Sequence, residues 1–314
     1  MISWKETSAS LIGVPLDLGA KNLGVDIGPE AFRHHQLINK LQSAGINVED
    51  NGDITPAPRE TLDPGDPKLR YLDEIIRVSN ELAKKTDTLI NNQRRVIAIG
   101  GDHSINLGTM SGASVSLGGN IGLIYLDAHG DMNTSETTET GNIHGMHLAS
   151  LLGLGDGRLV DVYRPGAKIK PENLLHIGGS DLDQPEIELM NSLPIPNFKL
   201  NDLILDGMRP LLSKIDQLCS RVDNVWISLD LDVIDRIYAP GAGMPNPGGL
   251  SYREILSIAD YVGRQCNVVG IDVVEYNPLQ DEDKKTAELG IELIAKFFGR
   301  TYSWYTGYLD ANKL

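Results

Sequence analysis

Three short apolar runs, each ending at a cluster of carboxylates or imidazoles, constrain this chain more than any other feature. Arg95-Val-Ile-Ala-Ile99 leads into Gly100-Gly-Asp-His103-Ser104. Ile121-Gly-Leu-Ile-Tyr-Leu126 leads into Asp127-Ala-His129-Gly-Asp131, and Val225-Trp-Ile-Ser-Leu229 into Asp230-Leu-Asp232. Runs of this length and composition read as buried strands. Open α/β sheets gather their sites at the carboxyl ends of strands, so the three termini are expected on one rim. Alternate side chains of an extended backbone share a face, which would aim Asp127, His129 and Asp131 the same way. Ionisable groups crowded like this need a cation to neutralise them.

His103, Asp127, His129, Asp131, Asp230 and Asp232 together offer two imidazoles, four carboxylates and no thiolate, more than a single structural zinc takes. Oxygen-rich ligation with some nitrogen suits Mn²⁺ best, with Mg²⁺, Fe²⁺ or Co²⁺ as alternatives. Shared carboxylates would bridge a pair of ions about 3.5–4 Å apart, with a hydroxide held between them.

Between the apolar runs lie helix signals. Ser8-Ala-Ser-Leu-Ile-Gly-Val14 opens the chain as a strand, and Pro29 starts a helix after a Gly-rich loop. A helix from about Pro67 to Lys85 carries Leu69, Leu72, Ile75, Ile76, Leu82 and Ala83 on one face. Leu174-Leu-His-Ile177 is a further strand, and a helix through Met208, Leu211, Leu212, Ile215 and Leu218 precedes the Asp230 strand. Ser251-Tyr-Arg-Glu254 is a capping box for the next helix. Val268-Val-Gly-Ile-Asp-Val-Val274 then ends at Glu275, and residues 286–298 form a closing helix. This alternation predicts an α/β fold: a three-layer α/β/α domain, mainly parallel in its sheet, spanning residues 1–314 without a linker.

Acidic residues outnumber basic ones by 43 to 28, a formal charge of −15, which argues against nucleic-acid or anionic-membrane partners. Cys219 and Cys266 stand far apart and indicate neither a disulfide framework nor a thiolate metal site. The start, Met1-Ile-Ser-Trp-Lys-Glu6, lacks a signal-peptide core, and no apolar run reaches membrane-spanning length, so a cytoplasmic protein is expected.

The motifs, taken in order, resemble the ureohydrolase (arginase/agmatinase) family, and arginases most closely. They are Gly13-Val-Pro-Leu-Asp-Leu-Gly19, Gly24-Val-Asp-Ile-Gly-Pro29, Gly100-Gly-Asp-His-Ser104, Asp127-Ala-His-Gly-Asp131 and Gly141-Asn-Ile-His-Gly-Met146. Ser228-Leu-Asp-Leu-Asp232, Gly248-Gly-Leu-Ser-Tyr-Arg-Glu254 and Gly270-Ile-Asp-Val-Val-Glu275 complete the series. The resemblance implies two Mn²⁺ ions per subunit. One would be bound by His103, Asp127, Asp131 and Asp230, the other by Asp127, His129, Asp230 and Asp232. The implied reaction is hydrolysis of L-arginine to L-ornithine and urea, with Asp131 accepting a hydrogen bond from the attacking hydroxide. Glu275 would pair with the guanidinium, and His144 would shuttle protons. The resemblance further assigns Asn133, Thr138, Thr140 and Asn142 to the substrate carboxylate and Asp183 and Glu186 to its ammonium. A homo-oligomer, trimer or hexamer, is implied on the same ground.

Departures from the arginase pattern bear on specificity. Val233 stands where Gly is usual, Asp235-Arg236 where an Asp-Pro pair is expected, Met244 where Thr is usual and His147 where Pro is common. Agmatinase, guanidinobutyrase and formiminoglutamase are therefore the alternative readings, and a non-catalytic ureohydrolase-like scaffold is a further one. Loss of one charged end from the substrate would strand polar groups of the pocket, which favours arginine.

Overall fold

The structure, a computed structural model, describes residues 8–301, so the N-terminal Met1–Glu6 segment lies outside the described residues. Eight strands form one sheet: β1 Ser8–Val14, β2 Asn47–Asp53, β3 Arg95–Gly100, β4 Gly122–Asp127, β5 Leu174–Gly178, β6 Asn197–Lys199, β7 Val225–Asp230 and β8 Val268–Val274. Their order is β2-β1-β3-β8-β7-β4-β5-β6, with every neighbouring pair parallel. The chain skips two strand positions between β3 and β4 and fills them last with β7 and β8. The carboxyl ends of these four central strands therefore meet where the winding of the sheet reverses, the place where such sheets hold ligands.

Side chains alternate between two cores. In β4, Ile124 and Leu126 join the core under the helices Arg209–Arg221, Tyr252–Gln265 and Lys285–Phe297. Leu123 and Tyr125 face the other core, under the helices Leu72–Asn91 and Asn106–Ser116. Central strands are buried on both faces, which is why they read as continuous apolar runs. The expected three layers follow from this division.

Several boundaries moved from their sequence positions. The helix expected over residues 67–85 spans Leu72–Asn91. Leu69 is buried and fits the helical period, but Tyr71 adopts φ 55°, which ends the continuity of the turn before it. At the other end Leu89 and Ile90 are buried and carry the helix onward. The helix Asn106–Ser116 gave no amphipathic signal because it is buried on nearly every side. It packs so closely on its neighbour that a Cβ on Gly112 would stand 2.2 Å from the Ala83 carbonyl oxygen. The Ser251–Glu254 capping box forms as expected, with each residue's side chain accepting from the other's backbone N–H.

The cysteine reading needs correction. Cys219 and Cys266 are 47 residues apart in sequence yet joined as a disulfide, with Cα atoms 5.9 Å apart. Cys219 lies in the helix Arg209–Arg221 and Cys266 caps the helix Tyr252–Gln265. These helices cover the same face of the sheet, and spacing along the chain carried no trace of that adjacency.

Candidate metal centre

Each of the three ligand-bearing strands ends in a turn that spreads its donors instead of continuing them along one face. Asp127 closes β4, after which the backbone bends so that Asp131 takes φ 48°. Asp230 closes β7 and Asp232 lies in a 3₁₀ turn over Leu231–Val233. His103 begins a 3₁₀ turn after β3, capped by the Asp102 carboxylate accepting from the Ser104 N–H. Asp127, His129 and Asp131 do come together, but at a turn and in two different groups.

His103 Nδ1 lies 2.9 Å from Asp127 Oδ2, 3.4 Å from Asp131 Oδ2 and 3.3 Å from Asp230 Oδ2. His129 Nδ1 lies 3.4 Å from Asp127 Oδ1 and 3.0 Å from Asp232 Oδ2. Asp127 therefore serves both groups, one oxygen to each. Its Oδ1 also accepts from the His129 N–H at 2.7 Å, which holds the carboxylate across the turn. Asp230 turns Oδ2 to His103 and accepts the Asp232 N–H on Oδ1 at 2.9 Å. Asp232 Oδ1 accepts from the Ala128 N–H, tying the two strand ends together.

The four carboxylates are buried, and without a cation they cannot all hold their charge. Burial and the adjacent Asp127 charge push the Asp131 carboxyl up to about 8. Burial, with Asp232 and Asp127 nearby, holds Asp230 well above the usual carboxylate range. Burial works against protonation of His103, but hydrogen bonds to Asp127 and Asp230 raise it well above an ordinary imidazole. The cluster thus gathers protons where a multivalent cation would serve better. His103 with Asp127 and Asp230, and His129 with Asp127 and Asp232, are oxygen-rich groups with one imidazole each, the donor chemistry of Mn²⁺ and similar ions; His103, Asp131 and His147 form a third close group, so the residues fit a metal.

Behind His103 runs a support that the sequence reading did not assign. Its Nε2 lies 2.8 Å from Ser228 Oγ, and Ser228 in turn donates to Asp272 Oδ2 at 3.4 Å. Asp272 also accepts from Trp226 Nε1 and Thr109 Oγ1, each at 3.0 Å. Such a chain fixes the ring so that Nδ1 faces the carboxylates. An acid inside the apolar run Val-Val-Gly-Ile-Asp272-Val-Val was the available signal, because a buried carboxylate is costly unless it has partners.

Glu275 follows β8 at φ 58°, a left-handed conformation that costs a non-glycine residue about 1–3 kcal/mol. Its backbone is held there by the Glu275 N–H donating to the Gly101 carbonyl and by the Gly243 N–H donating to its own carbonyl. The carboxylate accepts from the His103 N–H at 3.0 Å and pairs with His144 Nδ1 at 3.2 Å. Burial draws the His144 imidazole toward neutrality, but the Glu275 pairing outweighs it and lifts the group to about 9.

The outer residues assemble on a loop beside this core. Asn133 Nδ2 donates to Asp183 Oδ2 at 2.8 Å. Asp183 Oδ1 accepts the Glu186 N–H, and Glu186 accepts from the N–H groups of Asp183 and Met132. Asp183 and Glu186 are thus a capping box for the helix Gln184–Ser192 as well as a clamp on the loop. Thr138 and Thr140 turn their hydroxyls to the N–H groups of Gly141 and Asn142. Of the departures, Val233 and His147 are fully buried, while Met244 is exposed next to Gly243.

Comparison with known proteins decides the family. The family model described as "Arginase family" matches residues 7–299. The arginase of Brevibacillus brevis is 39% identical over 292 residues, covering 92% of this chain and 97% of that protein. The arginase structure from Bacillus caldovelox superposes with a TM-score of 0.89 at 38% identity, covering 93% and 98% of the two chains. The chain belongs to the arginase family. Members of this family cleave the guanidino carbon–nitrogen bond, and the chain is a hydrolase of that kind. An arginase from Entamoeba histolytica, solved in complex with L-ornithine, matches with a TM-score of 0.84 at 31% identity, covering 93% and 99%.

Proposed function

We propose that the protein is an arginase, hydrolysing L-arginine to L-ornithine and urea with two Mn²⁺ ions per subunit. The observation that carries this reading is the pair of donor groups sharing Asp127, with Glu275 and His144 beside them. His103, Asp127, Asp131 and Asp230 would hold one ion; Asp127, His129, Asp230 and Asp232 would hold the other. Ions bound there supply a water activated for attack on the guanidinium carbon.

The rest is the work of the chain. Glu275 takes the guanidinium in planar carboxylate pairing, which sets the carbon's position and orientation. Its present partner is His144, so an arriving guanidinium replaces one cation by another and frees the imidazole. His144 then stands at the rim with a proton to pass to the leaving amine or to bulk water. Asn133, Thr138, Thr140 and Asn142 receive the α-carboxylate, and Asp183 and Glu186 the α-ammonium. The clamp between Asn133 and Asp183 supports that division, because it joins the two halves of the head-group site.

Urea release from arginine, agmatine and 4-guanidinobutyrate, measured side by side in Mn²⁺-loaded protein, tests the substrate. Arginine should exceed each analogue by roughly a hundredfold or more in kcat/KM, because each analogue leaves polar groups unpaired. An analogue that outruns arginine would replace the arginase reading with agmatinase or guanidinobutyrase. No helix among the described residues is long and apolar enough to cross a membrane. We place the enzyme in the cytoplasm as a homo-oligomer, trimer or hexamer, which sedimentation would check.

A further inference from the structure

The inner wall of the centre holds two polar side chains that the proposed ligand sets leave unused. Tyr125 lies on β4 two residues before Asp127, on the same face, and is fully buried. Its hydroxyl oxygen is 2.6 Å from Asp131 Oδ2, 2.9 Å from Asp127 Oδ2 and 3.1 Å from His103 Nδ1. These are the same three atoms that face one another in the His103 group. His147, also fully buried, places Nε2 3.3 Å from the same hydroxyl.

With ions at the centre Asp127 and Asp131 would be ionised, and hydrogen bonding alone would then leave the Tyr125 oxygen with more acceptors around it than protons. A phenol has one proton to donate, and an ionised carboxylate only accepts. Two carboxylate oxygens and an imidazole nitrogen at contact distance compete for that proton. His147 offers that proton an acceptor outside the ligand set. His147 Nδ1 is 2.6 Å from the His144 carbonyl oxygen, which only accepts, so Nδ1 carries its hydrogen and Nε2 presents a lone pair. With the phenolic hydrogen donated to Nε2, both oxygen lone pairs of Tyr125 face the ligand atoms of Asp127, Asp131 and His103, an arrangement that a cation between them satisfies. Donors bound to one ion at about 2.1 Å and right angles stand about 3 Å apart. The contacts among Tyr125, His103, Asp127 and Asp131 run from 2.6 to 3.4 Å.

We propose that the Tyr125 hydroxyl is a further protein donor to the ion on the His103 side, aimed by a hydrogen bond to His147. The inference rests on the reading that divalent ions occupy this centre, and it makes the two positions unequal. A protein donor added on the His103 side would leave the coordination open to substrate chemistry toward His129.

The test compares wild type, Tyr125→Phe, His147→Leu and the double variant. Tyr125→Phe conserves volume in the buried wall. Calorimetric titration with Mn²⁺ alone should find two ions in wild type. In Tyr125→Phe one of the two sites should weaken by at least about tenfold while the other is unchanged, on the scale of losing a metal-site partner. Co²⁺-loaded protein gives a readout independent of turnover: its visible absorption should intensify in Tyr125→Phe as the coordination number falls. His147→Leu should shift the same site in the same direction, and the double variant should be no worse than Tyr125→Phe. A wild type that binds no ion at the centre overturns both the metal reading and this inference. Two-ion binding with identical affinities and Co²⁺ spectra in Tyr125→Phe overturns this inference alone. Additive losses in the double variant overturn the role of His147.

Discussion

Removing divalent metal from the protein should lower its melting temperature, and the shared position of Asp127 determines how the loss divides among variants. At free metal about a hundredfold above the dissociation constant, each site adds about 2.7 kcal/mol to the folded state, so two sites add about 5 kcal/mol. A chain of 314 residues gains roughly 1.5 °C per kcal/mol, and the loaded protein should melt roughly 8 °C above the chelated one. Asp127 contributes Oδ2 to the His103 group and Oδ1 to the His129 group, so Asp127→Asn should lose nearly the whole shift. His129 belongs to one group only, and His129→Ala should keep about half. The quantity to compare is the metal-induced shift within each variant, because Asp127→Asn also removes a buried charge and changes the metal-free baseline. Differential scanning calorimetry with bound metal counted by elemental analysis provides the measurement. A full shift surviving in Asp127→Asn would refute the shared-carboxylate reasoning, and one ion per chain in fully active wild type would refute the binuclear centre. Proton competition adds a sign. Asp131, pushed up to about 8 by burial and Asp127, holds a proton at neutral pH in the metal-free protein. Metal must displace it, so the apparent affinity should rise as pH increases toward about 8.

Glu275→Gln should nearly abolish turnover with both ions retained, and in metal-free protein it should bring the His144 titration down from about 9, followed by NMR of the ring. A His144 that still titrates near 9 would show that Glu275 is not its stabilising partner. His144→Ala should cut kcat by about 10²–10⁴-fold with little change in KM, the usual contribution of a positioned acid–base, and near-native turnover would remove it from the mechanism. Opening the Cys219–Cys266 bond by reduction should destabilise the fold by about 4 kcal/mol at most, from the loop of 47 residues it closes. Activity should not change, because Cys266 precedes β8 whereas Glu275 follows it; an unchanged melting temperature under reductant would show that the bond contributes nothing.

The fold was legible where burial dictated the residue pattern and obscure where it did not. Strands β3, β4, β7 and β8 are covered on both faces, and their apolar runs marked them to within a residue. The edge strand β2 reads Asn-Val-Glu-Asp-Asn-Gly-Asp and buries only Val48, so it carries no apolar signal. Its charges are what an unpaired edge needs to discourage intermolecular pairing. At the other edge, β6 is three residues long and buries only Phe198. The metal ligands were legible because acids and imidazoles at strand ends have few other uses. Tyr125 was not, because an aromatic inside an apolar run is indistinguishable from core until its hydroxyl finds partners.

The substrate acids show why residue type and spacing alone cannot separate support from recognition. Asp183 and Glu186 stand at the spacing of a capping box, and the structure uses them as one. All four of their carboxylate oxygens accept a hydrogen bond, from Glu186 N, Asn133 Nδ2, Met132 N and Asp183 N. An ionised carboxylate has about four lone-pair sites, so each of these acids keeps capacity for a further donor such as an ammonium. Burial raises the Glu186 carboxyl, a cost that backbone N–H groups at a helix start partly offset. The same two acids therefore fix the loop carrying Asn133 and present negative charge beside it. A pocket built this way arrives organised, since the groups that would meet the substrate are already held by the bonds that cap the helix.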